Sequence, residues 1–253
     1  MSVGSVRLTI DGRVATIMFD RPGMRNALTL AMYDELSAAC GRIASTPGLR
    51  ATVFRGADGA FVAGTDIGEF SDFTTGEDGV RYEARLEKGV GEVEALPVPT
   101  LAVIDGPATG GGLMIATACD LRVASSRARF GVPVARTLGN CLSRANLMRL
   151  ERAFGQGRTH RMLLLADLLD ANEALAAGFL VAMAERDVLE TRVAEILDKL
   201  VAHAPLTLAA TRTLMRASSE PEEKVIARVY ASRDFKEGVE SFLAKRTPVW
   251  SGD

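Results

Sequence analysis

From Thr100 to Asp120 the chain reads TLAVIDGPATGGGLMIATACD. A compact apolar strand runs into three consecutive glycines, Gly110 to Gly112, and then a short buried helix with no charge before Asp120. The flanking segments repeat this alternation of strand and helix. VRLTIDGRVATIMFDRP carries alternating apolar positions on both sides of Asp11-Gly12, which predicts a short hairpin. In ALTLAMYDELSAACGRIAS the period changes: Leu30, Tyr33, Leu36, Ala39, Cys40 and Ile43 recur every three or four residues, an amphipathic helix ending near Pro47-Gly48. RATVFRG is a short strand leading to a glycine-rich loop, the stretch between Gly76 and Pro97 is a helix with a solvated face, and LRVASSRARFGVP is a pair of short strands. From about Asn140 the pattern is mostly helical, interrupted by FLVAMA as a last short strand, with final helices expected over 187–203, 205–217 and 221–245. Alternation through residue 180 or so argues an α/β fold, with a helix-rich C-terminal third added to it.

A chain of 253 residues, 47% hydrophobic, supports one sizeable core or a core with a small appended region. A formal net charge of −2 argues against a nucleic-acid surface. No apolar run approaches the ~20 residues of a membrane span, and MSVGSVRLTI lacks the layout of a signal peptide. The expectation is a cytoplasmic protein without membrane association. Cys40, Cys119 and Cys141 form no disulfide framework, and with His160 and His203 as the only histidines a metal site is not expected.

Two loops can point backbone N–H groups at a ligand. In FVAGTDI, Gly64 relieves steric limits on a turn. At Gly110–Gly112 a helix begins, where N–H groups lack partners and the dipole favours negative charge. If the loops meet, one N–H from each holds an oxyanion; taken alone, three glycines before a helix more often mark a tight turn or close helix–strand packing. Neither a phosphate loop nor a GxGxxG dinucleotide spacing is present.

Four segments in fixed order carry a joint match: RPGMRNAL (21–28), AFVAGTDIGEF (60–70), PTLAVIDGPATGGGLMIATACDLRVASSRARFGVP (99–133) and SRDFKEGVESFLAKRTPVW (232–250). Together they resemble the enoyl-CoA hydratase/isomerase, or crotonase, superfamily across nearly the whole chain. The resemblance implies an α/β spiral of ββα units over 1–185 and a C-terminal helical oligomerisation region over 186–253, building homotrimers or hexamers. It implies an acyl-CoA thioester as ligand, with its carbonyl held by the N–H groups of Thr65 and Gly111. Arg25, Ala63, Phe242 and Lys245 are the implied CoA contacts, the last two reaching a neighbouring subunit's ligand. Coenzyme A enters only as part of the substrate; no metal, nicotinamide or flavin is implied.

The pattern breaks at the acid/base positions. Hydratases of the family carry glutamates in GGGxE and FGxPE, and here those positions are Met114 and Val134. Neither side chain transfers a proton. Glu69 beside the first loop, with Asp72 nearby, is a candidate replacement, and Tyr82 or Glu83 could reach inward from the following helix. VPVARTLGNCLSR brings Arg136, Asn140, Cys141 and Ser143 to the wall where the second glutamate would act. Arg136 could hold an acyl carboxylate and Asn140 could orient a water. Asp120 reads as structural. Three accounts follow: an enzyme of the enoyl-CoA hydratase/isomerase type using nonstandard residues, a catalytically inactive fatty acyl-CoA carrier, and a structural subunit. The retained AGTD and GGG loops count against the third.

Overall fold

The computed structural model describes residues 4–216 and 220–253. Residue 217, the expected end of the helix over 205–217, lies outside them. The hairpin forms around Gly12 (φ 55°), with β1 (Ser5–Asp11) and β2 (Val14–Asp20) antiparallel. Alternate β2 residues Ala15, Ile17 and Phe19 are fully buried. Helix α1 (Leu30–Ala44) packs against both strands, its N-terminus capped by the Thr29 side chain, which accepts the Met32 N–H. Its buried face is Met32, Tyr33, Leu36, Ala39, Cys40 and Ile43; the period predicts all of these but Met32, and Leu30, the first residue of the predicted stripe, is only partly buried at the helix start.

The chain continues through β3 (Ala51–Gly56), α2 (Gly76–Glu94), β4 (Thr100–Ile104), β5 (Pro107–Thr109), α3 (Gly111–Ala118), β6 (Leu121–Ser125), β7 (Arg129–Gly131) and α4 (Val134–Thr137). It then forms α5 (Arg144–Phe154), α6 (Gln156–Leu164), β8 (Leu169–Asp170), α7 (Ala171–Ala176) and β9 (Ala182–Ala184). The last helices are α8 (Leu189–Ala202), α9 (Pro205–Met215), α10 (Glu222–Tyr230) and α11 (Arg233–Ala244). One sheet has the order β1-β2-β3-β4-β6-β9 and is parallel beyond the hairpin; a small sheet has the order β5-β7-β8. β4, β5 and α3, then β6, β7 and α4, each place one strand in either sheet before a helix. The fold is thus α/β and advances by strand, strand, helix.

Two differences from expectation have local causes. The helix expected over 221–245 is broken between α10 and α11, because Ser232 leaves the helical conformation and its Oγ accepts the Phe235 N–H at 3.0 Å. Strands β5 and β8, three and two residues long, are too short to show alternation. Asp120 is a hub: its carboxylate accepts from Thr100 N (2.8 Å), Thr100 Oγ1 (2.9 Å), Arg212 Nε (2.6 Å) and Arg216 Nη2 (2.7 Å). It thereby joins β4 to α9 and the residue that follows it, which extends its expected structural role. Among the described residues no helix is long and apolar enough to cross a membrane.

Candidate active site

The loop after β3 returns to Leu28 through an isolated parallel bridge to Thr65. The Leu28 N–H donates to the Gly64 carbonyl and the Asp66 N–H donates to the Leu28 carbonyl, both at 2.8 Å. These bonds use the groups flanking Thr65, so its own N–H faces away from Leu28, and it has no acceptor among the described residues. Asp66 fixes the loop: one oxygen accepts the Gly68 N–H at 3.0 Å, starting the 3-10 turn Ile67–Phe70, and the other accepts from buried Arg21 at 2.6 Å. The Gly68 N–H and then the Arg21 guanidinium hold the Asp66 carboxyl below its ordinary range. Asn26 (φ 56°), buried, accepts the Arg21 N–H at 2.8 Å and donates to the carbonyls of Ala57 and Ala60, both at 2.9 Å. Arg21, Asn26 and Asp66 therefore clamp RPGMRNAL to the loop; in the sequence they are only part of a motif.

At the second loop, Gly110 (φ 51°) donates its N–H to the Gly131 carbonyl at 3.0 Å, and its own carbonyl accepts the Met114 N–H at 3.1 Å. The Gly111 N–H lies ahead of that first helical bond and has no acceptor among the described residues. A Cβ on Gly112 would run into the Val62 backbone, and one on Gly111 into the Tyr33 hydroxyl. The protein's own atoms therefore occupy the space that a side chain at either glycine would need, which is the close packing that the sequence also allows. The Tyr33 phenol, a titratable group, thus lies directly beside Gly111. The loops do meet: a Cβ on Gly64 would lie 3.3 Å from the Thr109 carbonyl oxygen, and one on Gly111 would lie 3.3 Å from Thr65 Oγ1.

Tyr33 Oη and Thr65 Oγ1 are 2.8 Å apart, and Thr65 Oγ1 and Tyr82 Oη 2.7 Å. Burial pushes both phenols above their ordinary values, Tyr33 well above, so both are neutral at pH 7. Tyr82 also lines a cavity of about 540 Å³ together with Phe70, Phe73, Glu83, Asn140 and Cys141. The Phe70 and Tyr82 rings meet edge to face with centroids 4.9 Å apart. Glu83 is half-buried and its Oε2 accepts the Ser143 N–H at 2.7 Å. Burial raises the Glu83 pKa, the Ser143 N–H opposes that, and nearby Glu87 adds to it.

The structure thus brings Tyr82, Glu83, Asn140, Cys141 and Ser143 to one cavity whose wall touches Thr65. The other expected residues lie elsewhere. Met114 is fully buried in the main core, so it is not an exposed pocket wall. Val134 is partly buried at the start of α4, and Arg136 is exposed on that helix. Glu69, half-buried on the 3-10 turn, and exposed Asp72 do not line the cavity. Arg25 (φ 47°) is exposed, and its carbonyl accepts the Ala63 N–H at 3.1 Å, next to the first loop. Phe242, 85% exposed, lines a separate apolar groove with Phe235 and Trp250, and Lys245 (φ 53°) ends α11. Among the described residues no cluster of three His, Cys, Asp or Glu is placed to hold a metal.

The sequence matches the enoyl-CoA hydratase/isomerase family model over residues 9–253. It is 30% identical to the short-chain-enoyl-CoA hydratase of Clostridium acetobutylicum, covering 97% of both chains. It is 31% identical to the human mitochondrial enoyl-CoA hydratase domain-containing protein 2, over 96% of this chain and 87% of that one. Among solved structures, an enoyl-CoA hydratase/carnithine racemase from Magnetospirillum magneticum superposes with a TM-score of 0.91 at 30% identity, covering 98% of this chain and 96% of the other.

Proposed function

The chain belongs to the enoyl-CoA hydratase/isomerase family, and from that premise we propose that it binds an acyl-CoA thioester and moves a proton at the carbon next to the carbonyl. The thioester oxygen sits between the N–H groups of Thr65 and Gly111, which need an acceptor. As the α-proton leaves, the electron pair of that C–H bond shifts into the carbonyl and the oxygen becomes an enolate. Preorganised donors aimed at that oxygen stabilise the charged state more than the ground state. The acyl group extends along the Phe70, Phe73 and Tyr82 side of the cavity, and Arg25 lies on the CoA side.

Glu83 takes and returns the proton. The observation that carries this assignment is that Glu83 is the one carboxylate among the described residues lining the cavity. Its Oε2 is held by Ser143, while Oε1 makes no hydrogen bond among the described residues and is available to the substrate. Burial makes the carboxylate more basic, which suits proton abstraction near neutral pH. Met114 and Val134, at the family's glutamate positions, supply no second acid, so a single-carboxylate proton shift, as in moving a double bond, fits better than hydration. The missing carboxylates at these two positions leave one other reading, a fatty acyl-CoA carrier without turnover.

The test is exchange of the α-protons of a saturated acyl-CoA in deuterium oxide, followed by mass spectrometry alongside calorimetric binding. Exchange that disappears in Glu83→Gln while binding persists supports the enzyme. Binding without exchange in the unaltered protein selects the carrier, and no binding rules out both.

A further inference from the structure

Three hydroxyls meet against Gly111 inside the protein, and packing does not require them. Tyr33 comes from α1, Tyr82 from α2 and Thr65 from the loop between, and both rings lie in the main core with Val62 and Leu86. Phenylalanine at 33 and 82 and valine at 65 would fill similar volume without the cost of desolvating three O–H groups.

Proton counting shows what the arrangement offers. Each hydroxyl brings one proton, and the contacts of 2.8 and 2.7 Å, both to Thr65 Oγ1, use two. When both tyrosines donate, the lone pairs of Oγ1 are filled and the Thr65 proton is free to leave the triangle. Two phenol donors polarise that O–H and make it a stronger donor. Thr65 also carries one backbone N–H of the hole, and its Oγ1 faces Gly111, which carries the other.

We propose that the Thr65 hydroxyl is a third hydrogen-bond donor to the thioester oxygen, with Tyr33 and Tyr82 as positioning residues that hold it in the donating orientation. This rests on the acyl-CoA function proposed above. The hydroxyl keeps its proton throughout; it stabilises charge and does not protonate the enolate. Its contribution is greatest when the oxygen is negative, because hydrogen bonds to ionised acceptors are about twice as strong as neutral ones.

The probe is acetoacetyl-CoA, whose enolate absorbs in the near ultraviolet and can be titrated with pH while bound. Thr65→Val keeps the branched shape and the backbone N–H but loses the hydroxyl. It is expected to raise the apparent pKa of the bound enolate by about one pH unit, a tenfold loss of enolate stabilisation. Tyr33→Phe and Tyr82→Phe should each give a smaller upward shift, and Thr65→Ser should return the value toward that of the unaltered protein. A purely structural role would instead change thermal stability and the affinity for butyryl-CoA, which has no comparable enolate, and leave this pKa in place. An unchanged enolate pKa in Thr65→Val that still binds overturns the third donor and leaves acyl-CoA binding standing. If Thr65→Val does not fold, unchanged values in both tyrosine variants overturn it equally. Failure of the unaltered protein to bind either thioester removes the acyl-CoA function and this inference with it.

Discussion

The hydroxyl oxygen of Tyr33 occupies the space in which a side chain on Gly111 would begin. Helix α1 therefore dictates the middle residue of a glycine triplet that lies far along the chain. Gly111→Ala should destabilise the fold by ~1–3 kcal/mol through overpacking. Tyr33→Phe removes the clashing atom and leaves neighbours at 3.3 Å or more from the new methyl. In urea unfolding, the double variant should be more stable than the sum of the single changes allows. Strict additivity would show that the two residues do not compete for this space.

Glu83 and Asp66 should give opposite pH signatures in stability. The Glu83 pKa is raised above 4.5, so its contribution is present below that value and is lost as pH rises through its folded pKa. Glu83→Gln should thus gain stability relative to the unaltered protein on going from acid to neutral pH. The Asp66 pKa is lowered below 3.8, so its contribution is present above that value and is lost as pH falls through its folded pKa. Asp66→Asn should be the less stable protein at neutral pH, with the deficit shrinking in acid. Urea midpoints measured across that range check both slopes; a reversed slope in either variant rejects its assignment.

The rate of α-proton exchange should rise with pH, with a midpoint above 4.5, because Glu83 must be ionised to accept the proton. A profile flat through the acid range, or one that survives in Glu83→Gln, would place the base elsewhere.

Thiol chemistry should report on the cavity. Burial pushes the thiols of Cys40 and Cys119 up to about 12, whereas Cys141 is exposed and lines the cavity. Iodoacetamide should modify Cys141 first, and a saturating acyl-CoA should slow that labelling. Peptide mapping that finds equal labelling with and without the thioester would argue that the acyl group lies elsewhere.

Removing the Asp120 carboxylate should cost about 3 kcal/mol, since Arg212 and Arg216 would lose their shared partner in a partly buried setting. Asp120→Ala, measured by urea unfolding, tests this. A loss under about 1 kcal/mol, the level of a surface pair, would make the hub incidental.

Local chemistry was legible in the residues themselves. The 3.6-residue stripe of α1, the Asp11-Gly12 hairpin and the charge-free helix after the glycines could each be read over a few turns of chain, because each depends on neighbours in sequence. The same sequence matched family motifs that located both N–H loops. Pieces too short to show a period, β5 and β8, were not legible, and the break at Ser232 was concealed by apolar spacing that continues across it.

The sequence determined the α/β alternation and which two glycine loops have N–H groups to offer, since backbone conformation and hydrophobic period are local properties. Only the tertiary structure decided what stands beside those loops. Tyr33, Thr65 and Tyr82 carry no common motif; they meet because α1 packs on α2 and both face the same glycine. Likewise Glu83, on α2, lines the cavity, and Glu69 and Asp72, nearer the loop in sequence, do not, because the direction in which a side chain leaves the backbone matters more than its distance along the chain from the loop.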